Sequence, residues 1–246
     1  MPDRRKHRGP HPHDADYFHD TRLHTLRVAV EHFSWLLTRE YSPKAAIKLV
    51  GDRFQLGDRQ RTAVVRSSCS DGSLRRRASR LLKSQDVAGQ DVEIDGFNLV
   101  TTLEAALSGG VILVGRDHVA RDMASMHGSY RRVAETRPAL QFLGQFMARC
   151  GILKCHWLLD RPVSNSGRLA QMIREIGSDN SWNWSAELVD DPDPVLKRSK
   201  HVVATGDSVI LDSCEHWVNL AWEVVHESVP EAWVIKMQPH CDSDNN

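Results

Sequence analysis

From Gly89-Gln90 onward the chain alternates short apolar runs with amphipathic stretches, and this limits its fold more than any other feature. The runs are VEI (92–94), VILV (111–114), CHWLL (155–159), WSAEL (184–188), HVVAT (201–205), WVNL (217–220) and AWVI (232–235). Between them lie stretches such as RPALQFLGQFMARCG and SGRLAQMIREIG, which read as helices. Strands that alternate with helices form βαβ units, so the expected class is α/β with a mainly parallel sheet. The 111–114 run also fits a helix or an insertion. In parallel sheets ligands lie beyond the carboxyl ends of the strands, near the point where strand order reverses. The residue that follows each run is therefore where function is sought.

The preceding part reads differently. Residues 1–20 show no apolar period and are rich in His, Pro, Arg and Asp, as expected of a mobile arm; His7, His11 and His13 could bind a metal, but without a fixed scaffold they read as a polar tail. From Thr21, Leu23, Leu26, Val30, Phe33 and Leu37 line one face of a helix ending near Glu40. Ser42-Pro43 opens a second helix with Ala46, Ile47 and Val50 on one side. After the break at Phe54-Gln55-Leu56-Gly57, Asp58 caps a third, a spacing compatible with helix-turn-helix geometry. Residues 1–90 carry 18 Lys and Arg against 10 Asp and Glu, and the remainder 14 against 22. A basic module with Arg59, Arg61, Arg66 and the run Arg75-Arg76-Arg77 suits a polyanion; the alternative is a helical cap packed on the second part.

At 41% hydrophobic and 26% charged residues, the composition supports a sizeable core and excludes global disorder. No run reaches membrane-spanning length, and MPDRRKHRGPHPHD lacks the apolar stretch of a secretory signal, so no membrane association and a cytoplasmic location are expected. The five cysteines form no C-x-x-C pair, against both a disulfide framework and a thiolate zinc site.

Three runs lead into an aspartate: Asp95, Asp160 and Asp207. A parallel sheet would put all three on one edge, where their repulsion calls for bound protons or a cation such as Mg²⁺ or Mn²⁺. Asn98 shares the ledge with Asp95 or caps the following helix. Ser208 and Asp212 follow Asp207, so Asp207 and Asp212 could share a metal or bracket a water, unless Asp212 is only a solvated helix residue. Asp193 is a further candidate ligand, or only the cap before Pro194. After Asp160, Arg161, Asn165, Ser166 and Arg168 surround a helix start and suit a phosphate. The tryptophans are expected in the core, with one exposed ring free to stack on a base.

The order VEIDGFNLV, strand to Asp160, then VVATGDSVIL resembles the successive signatures of PIN-like nucleases, especially the NYN branch, where D-G-x-N opens the domain and S-G-D-S-D-F follows later. The whole chain also resembles a prokaryotic family of unknown function with a helical part ahead of the PIN-like part. The resemblance implies a small helical domain at 21–88 and a PIN-like three-layer α/β/α domain at 89–238; residues 239–246 are expected to be a disordered tail. It also implies a Mg²⁺- or Mn²⁺-dependent nuclease acting on RNA rather than DNA, with Asp95 and Asp207 the closest matches to the metal-binding acids and Asp160, Asp193 and Asp212 weaker ones. The second acid of S-G-D-S-D-F is Val209 here. That departure leaves a catalytically degenerate nucleic-acid- or protein-binding module as the alternative. The Gly206-Asp207-SVIL-Asp212 stretch also resembles a late motif of haloacid-dehalogenase-like phosphohydrolases, but Asp95-Gly96-Phe97 lacks their second acid. A homo-oligomer is compatible with all of these.

Overall fold

The computed structural model describes residues 9–123 and 130–238. The N-terminal part is helical: α1 (Asp14–Tyr17), α2 (Asp20–Thr38), α3 (Pro43–Arg53), α4 (Asp58–Ser67) and α5 (Asp71–Arg80). The period read in the sequence is the packing face of α2, where Leu26, Ala29, Val30, Phe33 and Leu36 are buried. Pro43 occupies the first turn of α3, where its missing N–H costs nothing.

Six parallel strands follow: β1 (Leu81–Leu82), β2 (Asp91–Asp95), β5 (Lys154–Asp160), β6 (Trp184–Val189), β7 (Val202–Ala204) and β8 (Trp217–Val218). They lie side by side in the order β1-β8-β7-β2-β5-β6. The α/β class with a mainly parallel sheet is thus observed. Helices α6 (Gly96–Leu107), α7 (Thr136–Arg149), α8 (Ser166–Asp179) and α11 (Leu220–Ser228) share one core with the sheet. On the other face, α9 (Asp193–Lys197) and α10 (Ser208–Leu211) cover Leu158, Val203 and Trp217. Successive strand residues point to opposite faces, so Trp157 joins the first cluster while Leu158 joins the second.

Two of the apolar runs build something else. β3 (Val111–Val114) and β9 (Trp233–Lys236) pair in parallel, and β4 (Ala120–Asp122) pairs antiparallel with β3, making a separate three-stranded sheet. Val111, Leu113, Ile235 and Met237 share a core with Leu26, Val30, Phe33 and Val64. The basic helices are therefore packed on this small sheet, and β1, just beyond α5, pairs at the edge of the large one. Among the described residues no helix is long and apolar enough to cross a membrane.

The chain runs from β2 outward to β5 and β6, then returns to the opposite side of β2 for β7 and β8. The order reverses at β2, so the crevice rule points to the carboxyl ends of β2, β5 and β7.

Candidate active site at the sheet edge

Asp95 is the last residue of β2 and the N-cap of α6, with Oδ1 accepting the Asn98 N–H at 3.4 Å. Gly96 allows this sharp turn. A Cβ there would stand 2.5 Å from Leu159 Cδ2 and 2.9 Å from the Leu158 carbonyl oxygen, so the D-G-x-N turn is pressed against β5. Opposite, Thr205 donates its hydroxyl to Asp95 Oδ2 at 2.8 Å and accepts the Asp207 N–H at 2.9 Å. Asn98 Oδ1 accepts the Gly206 N–H at 2.7 Å, tying the two turns together. Asp207 caps α10, with Oδ1 accepting from Val209 N at 2.7 Å and Ile210 N at 3.1 Å.

Asp95 is 9% exposed, and among the described residues no cationic side chain pairs with it. Burial raises its pKa to about 7, Asp207 and Asp160 push the same way, and the bonds from Thr205 and Asn98 oppose them. Asp160, at the end of β5, is also raised, first by burial and then by Asp191 and Asp193. Asp95 thus sits in the negative field of Asp207 and Asp160, whereas Asp160 is raised by its own neighbours Asp191 and Asp193. Among the described residues, however, no group of three or more His, Cys, Asp or Glu is assembled that could hold a metal ion.

The remaining candidates are placed as follows. Asp212, expected beside Asp207 in the acidic group, instead accepts from Arg77 Nε at 2.8 Å, Arg77 Nη2 at 2.9 Å and the Ser73 hydroxyl at 3.1 Å. Asp193 lies 3.0 Å from Lys197 Nζ, an ion pair one helical turn apart. Ser208 faces Arg121 Nη2 at 3.4 Å. Asn98, expected on the ledge with Asp95 or as a helix cap, accepts the Gly206 N–H through Oδ1 and so holds the neighbouring turn. At the start of α8, Asn165 adopts φ 65° and donates from Nδ2 to the Tyr130 carbonyl at 2.7 Å, while its Oδ1 faces Arg168 Nη1 at 3.4 Å. Ser166 donates to the Arg161 carbonyl at 3.3 Å; Arg161 donates to the Leu188 carbonyl at 2.7 Å and pairs with Asp190 at 3.3 Å. Anion-binding groups here are thus partly committed to the protein.

The same holds for the basic helices. Arg59 pairs with the buried Asp14, Arg61 with Asp52, Arg66 with Asp122, and Arg77 with Asp117 and Asp212. Arg75 and Arg76 are exposed.

A family described as "Domain of unknown function (DUF5616)" matches residues 84–223. The chain belongs to that family. A second description, "Protein of unknown function (DUF434)", matches residues 25–80. The uncharacterized protein MJ0935 of Methanocaldococcus jannaschii is 33% identical over 189 residues, covering 77% of this chain and 90% of its own length. No solved structure matches. The 84–223 match contains Asp95, Asp160 and Asp207, whereas Arg77 lies in the 25–80 match.

Thr205, Asp117 and Arg121 have no counterpart among the residues singled out from sequence. The contacts of Thr205 with Asp95 and of Arg121 with Gly206 join positions 110 and 85 residues apart. The one readable signal was Ser73 and Arg77, four residues apart and so on one face of α5, which both reach Asp212.

Proposed function

We propose that the protein is a Mg²⁺- or Mn²⁺-dependent phosphodiesterase acting on nucleic acid. The supporting observation is Asp95: a buried carboxylate without a cationic partner among the described residues, flanked electrostatically by Asp207 and Asp160 at the strand-order reversal of a parallel sheet. A cation would relieve that arrangement. The oxygen donors suit hard ions, and Mg²⁺ keeps several waters and commonly uses one or two carboxylates plus substrate phosphate. Asp95 and Asp207 would hold the ion, with Asp160 adding negative charge nearby. Such an ion lowers the pKa of a bound water and polarises a phosphoryl oxygen. The protein's own part is to hold the two acids in place: Thr205 orients Asp95, Asn98 fixes the Gly206 peptide, and the N–H groups of Val209 and Ile210 hold one oxygen of Asp207. The preference for RNA over DNA follows the PIN-like resemblance.

Val209, which stands where that resemblance has an acid, is 55% exposed, and this favours a second reading as a binding module with a degenerate site. One experiment separates them. With labelled RNA and millimolar Mn²⁺, the unsubstituted protein is expected to cleave, and Asp95→Asn combined with Asp207→Asn to lose at least about 100-fold in rate while remaining folded. Undiminished cleavage by the double variant refutes the site; absent cleavage by the parent, with RNA still bound, selects the binding module.

A further inference from the structure

The turn that carries Asp207 is held partly from outside its own segment. Arg121 donates from Nε to the Gly206 carbonyl at 2.7 Å, while Arg77 of α5 donates from Nη2 to the Ser208 carbonyl at 3.1 Å. Asp117 joins the two arginines: it accepts from Arg77 Nη1 and, at 2.9 and 2.7 Å, from Nη1 and Nη2 of Arg121. Asp212 completes the chain through its two bonds from Arg77. Side-chain exposure is 3% for Arg77, 2% for Asp117 and 8% for Arg121. Two arginines and two aspartates balance, so each buried charge has a partner.

We propose that Arg77 is a positioning residue for Asp207, so that the helical segment completes the acidic edge built by the α/β segment. The Gly206 peptide is gripped on one side by Asn98, which follows Asp95 by three residues, and on the other by Arg121. Arg77 grips the next carbonyl but one and orients Arg121 through Asp117. The separation of Asp207 from Asp95 is thereby fixed before any ligand arrives, as a preorganised site requires. A guanidinium reaches Asp212, Asp117 and the Ser208 carbonyl together because its donors lie in one rigid plane; an ammonium cannot span all three. In its consequence for a cation the inference rests on the proposed function; in its consequence for the turn it does not.

The test uses the full chain with Arg77→Met, Arg77→Lys and, as a control for general destabilisation, Leu26→Ala, which empties the helical core. Amide hydrogen exchange is read at Val209 and Ile210, whose N–H groups bond to Asp207 Oδ1. Mn²⁺ affinity is read by calorimetry. Arg77→Met is expected to speed exchange at both amides at least tenfold beyond the Leu26→Ala control and to weaken Mn²⁺ binding at least tenfold, with Arg77→Lys between. Exchange no faster than in the control overturns the proposal. If the unsubstituted chain binds no Mn²⁺, the cation reading alone falls and the two amides still decide the positioning role. Should Arg77→Met fail to fold, Arg77→Lys against the control decides it by the same amides.

Discussion

Asp95→Asn is expected to stabilise the protein at pH 8 in the absence of divalent cations, by about 3 kcal/mol, the net of the two opposing effects that follow. Most substitutions of a buried, hydrogen-bonded residue do the reverse. The sign follows from proton linkage. Asp95 has a folded pKa of about 7 against an ordinary value of 3.8, so between those limits the folded state keeps a proton that the unfolded chain releases. Stability therefore falls as pH rises from about 4 to about 7 and is level above that. A carboxyl raised that far in the folded state costs about 4 kcal/mol once both states are ionised. Asn removes that penalty but cannot serve both Thr205 and the Asn98 N–H through its single carbonyl, which costs about 1 kcal/mol. Urea unfolding at pH 8 and pH 4 checks this: the gain should be present at pH 8 and absent, or slightly reversed, at pH 4. Equal stabilities of variant and parent at both pH values would show that the Asp95 charge is already compensated within the chain.

The same change at Asp117 is expected to cost about 3–5 kcal/mol, because it leaves Arg77 and Arg121 buried around a neutral side chain. Burial pushes the Asp117 carboxyl up, but Arg121 and Arg77 outweigh it and bring it down to about 2. Its contribution is therefore complete above about pH 4 and is lost as pH falls toward 2, opposite in sense to that of Asp95. Thermal or urea unfolding at pH 7 measures the effect, and a loss under about 1 kcal/mol would mean the two guanidiniums are solvated rather than held by Asp117. Burial pushes both of these similarly exposed aspartates up, at 9% and 7%, yet their net shifts are opposite, because Asp117 has two arginines and Asp95 has none among the described residues.

Strand periodicity made most of this architecture readable. The 92–94, 155–159 and 184–188 runs lie within β2, β5 and β6 because buried parallel strands demand continuous apolar or alternating residues. β1 is two residues long and β4 reads Ala-Arg-Asp, so neither carries a period to find. The 232–235 run reads as a strand and the 111–114 run as a strand, a helix or an insertion, but that the two pair with each other and pack on α2 and α4 is a long-range choice no local window contains. At the candidate site, Asp95 and Asp160 are the last residues of β2 and β5 and Asp207 lies three residues beyond β7, so looking just past each apolar run reaches all three. The Arg75-Arg76-Arg77 run reads as part of a basic module suited to a polyanion, yet helical spacing turns Arg77 inward with Ser73 while Arg75 and Arg76 stay in solvent. Asp212 carried the right residue type for the acidic group and was withdrawn from it by that same arginine.

A crystal soaked in Mn²⁺ at pH 8 and measured for anomalous scattering tests the metal site most directly. The expected result is a peak bound by the carboxylates of Asp95 and Asp207 at the ends of β2 and β7. A well-diffracting soaked crystal with no peak there, or with manganese only elsewhere on the protein, would contradict it.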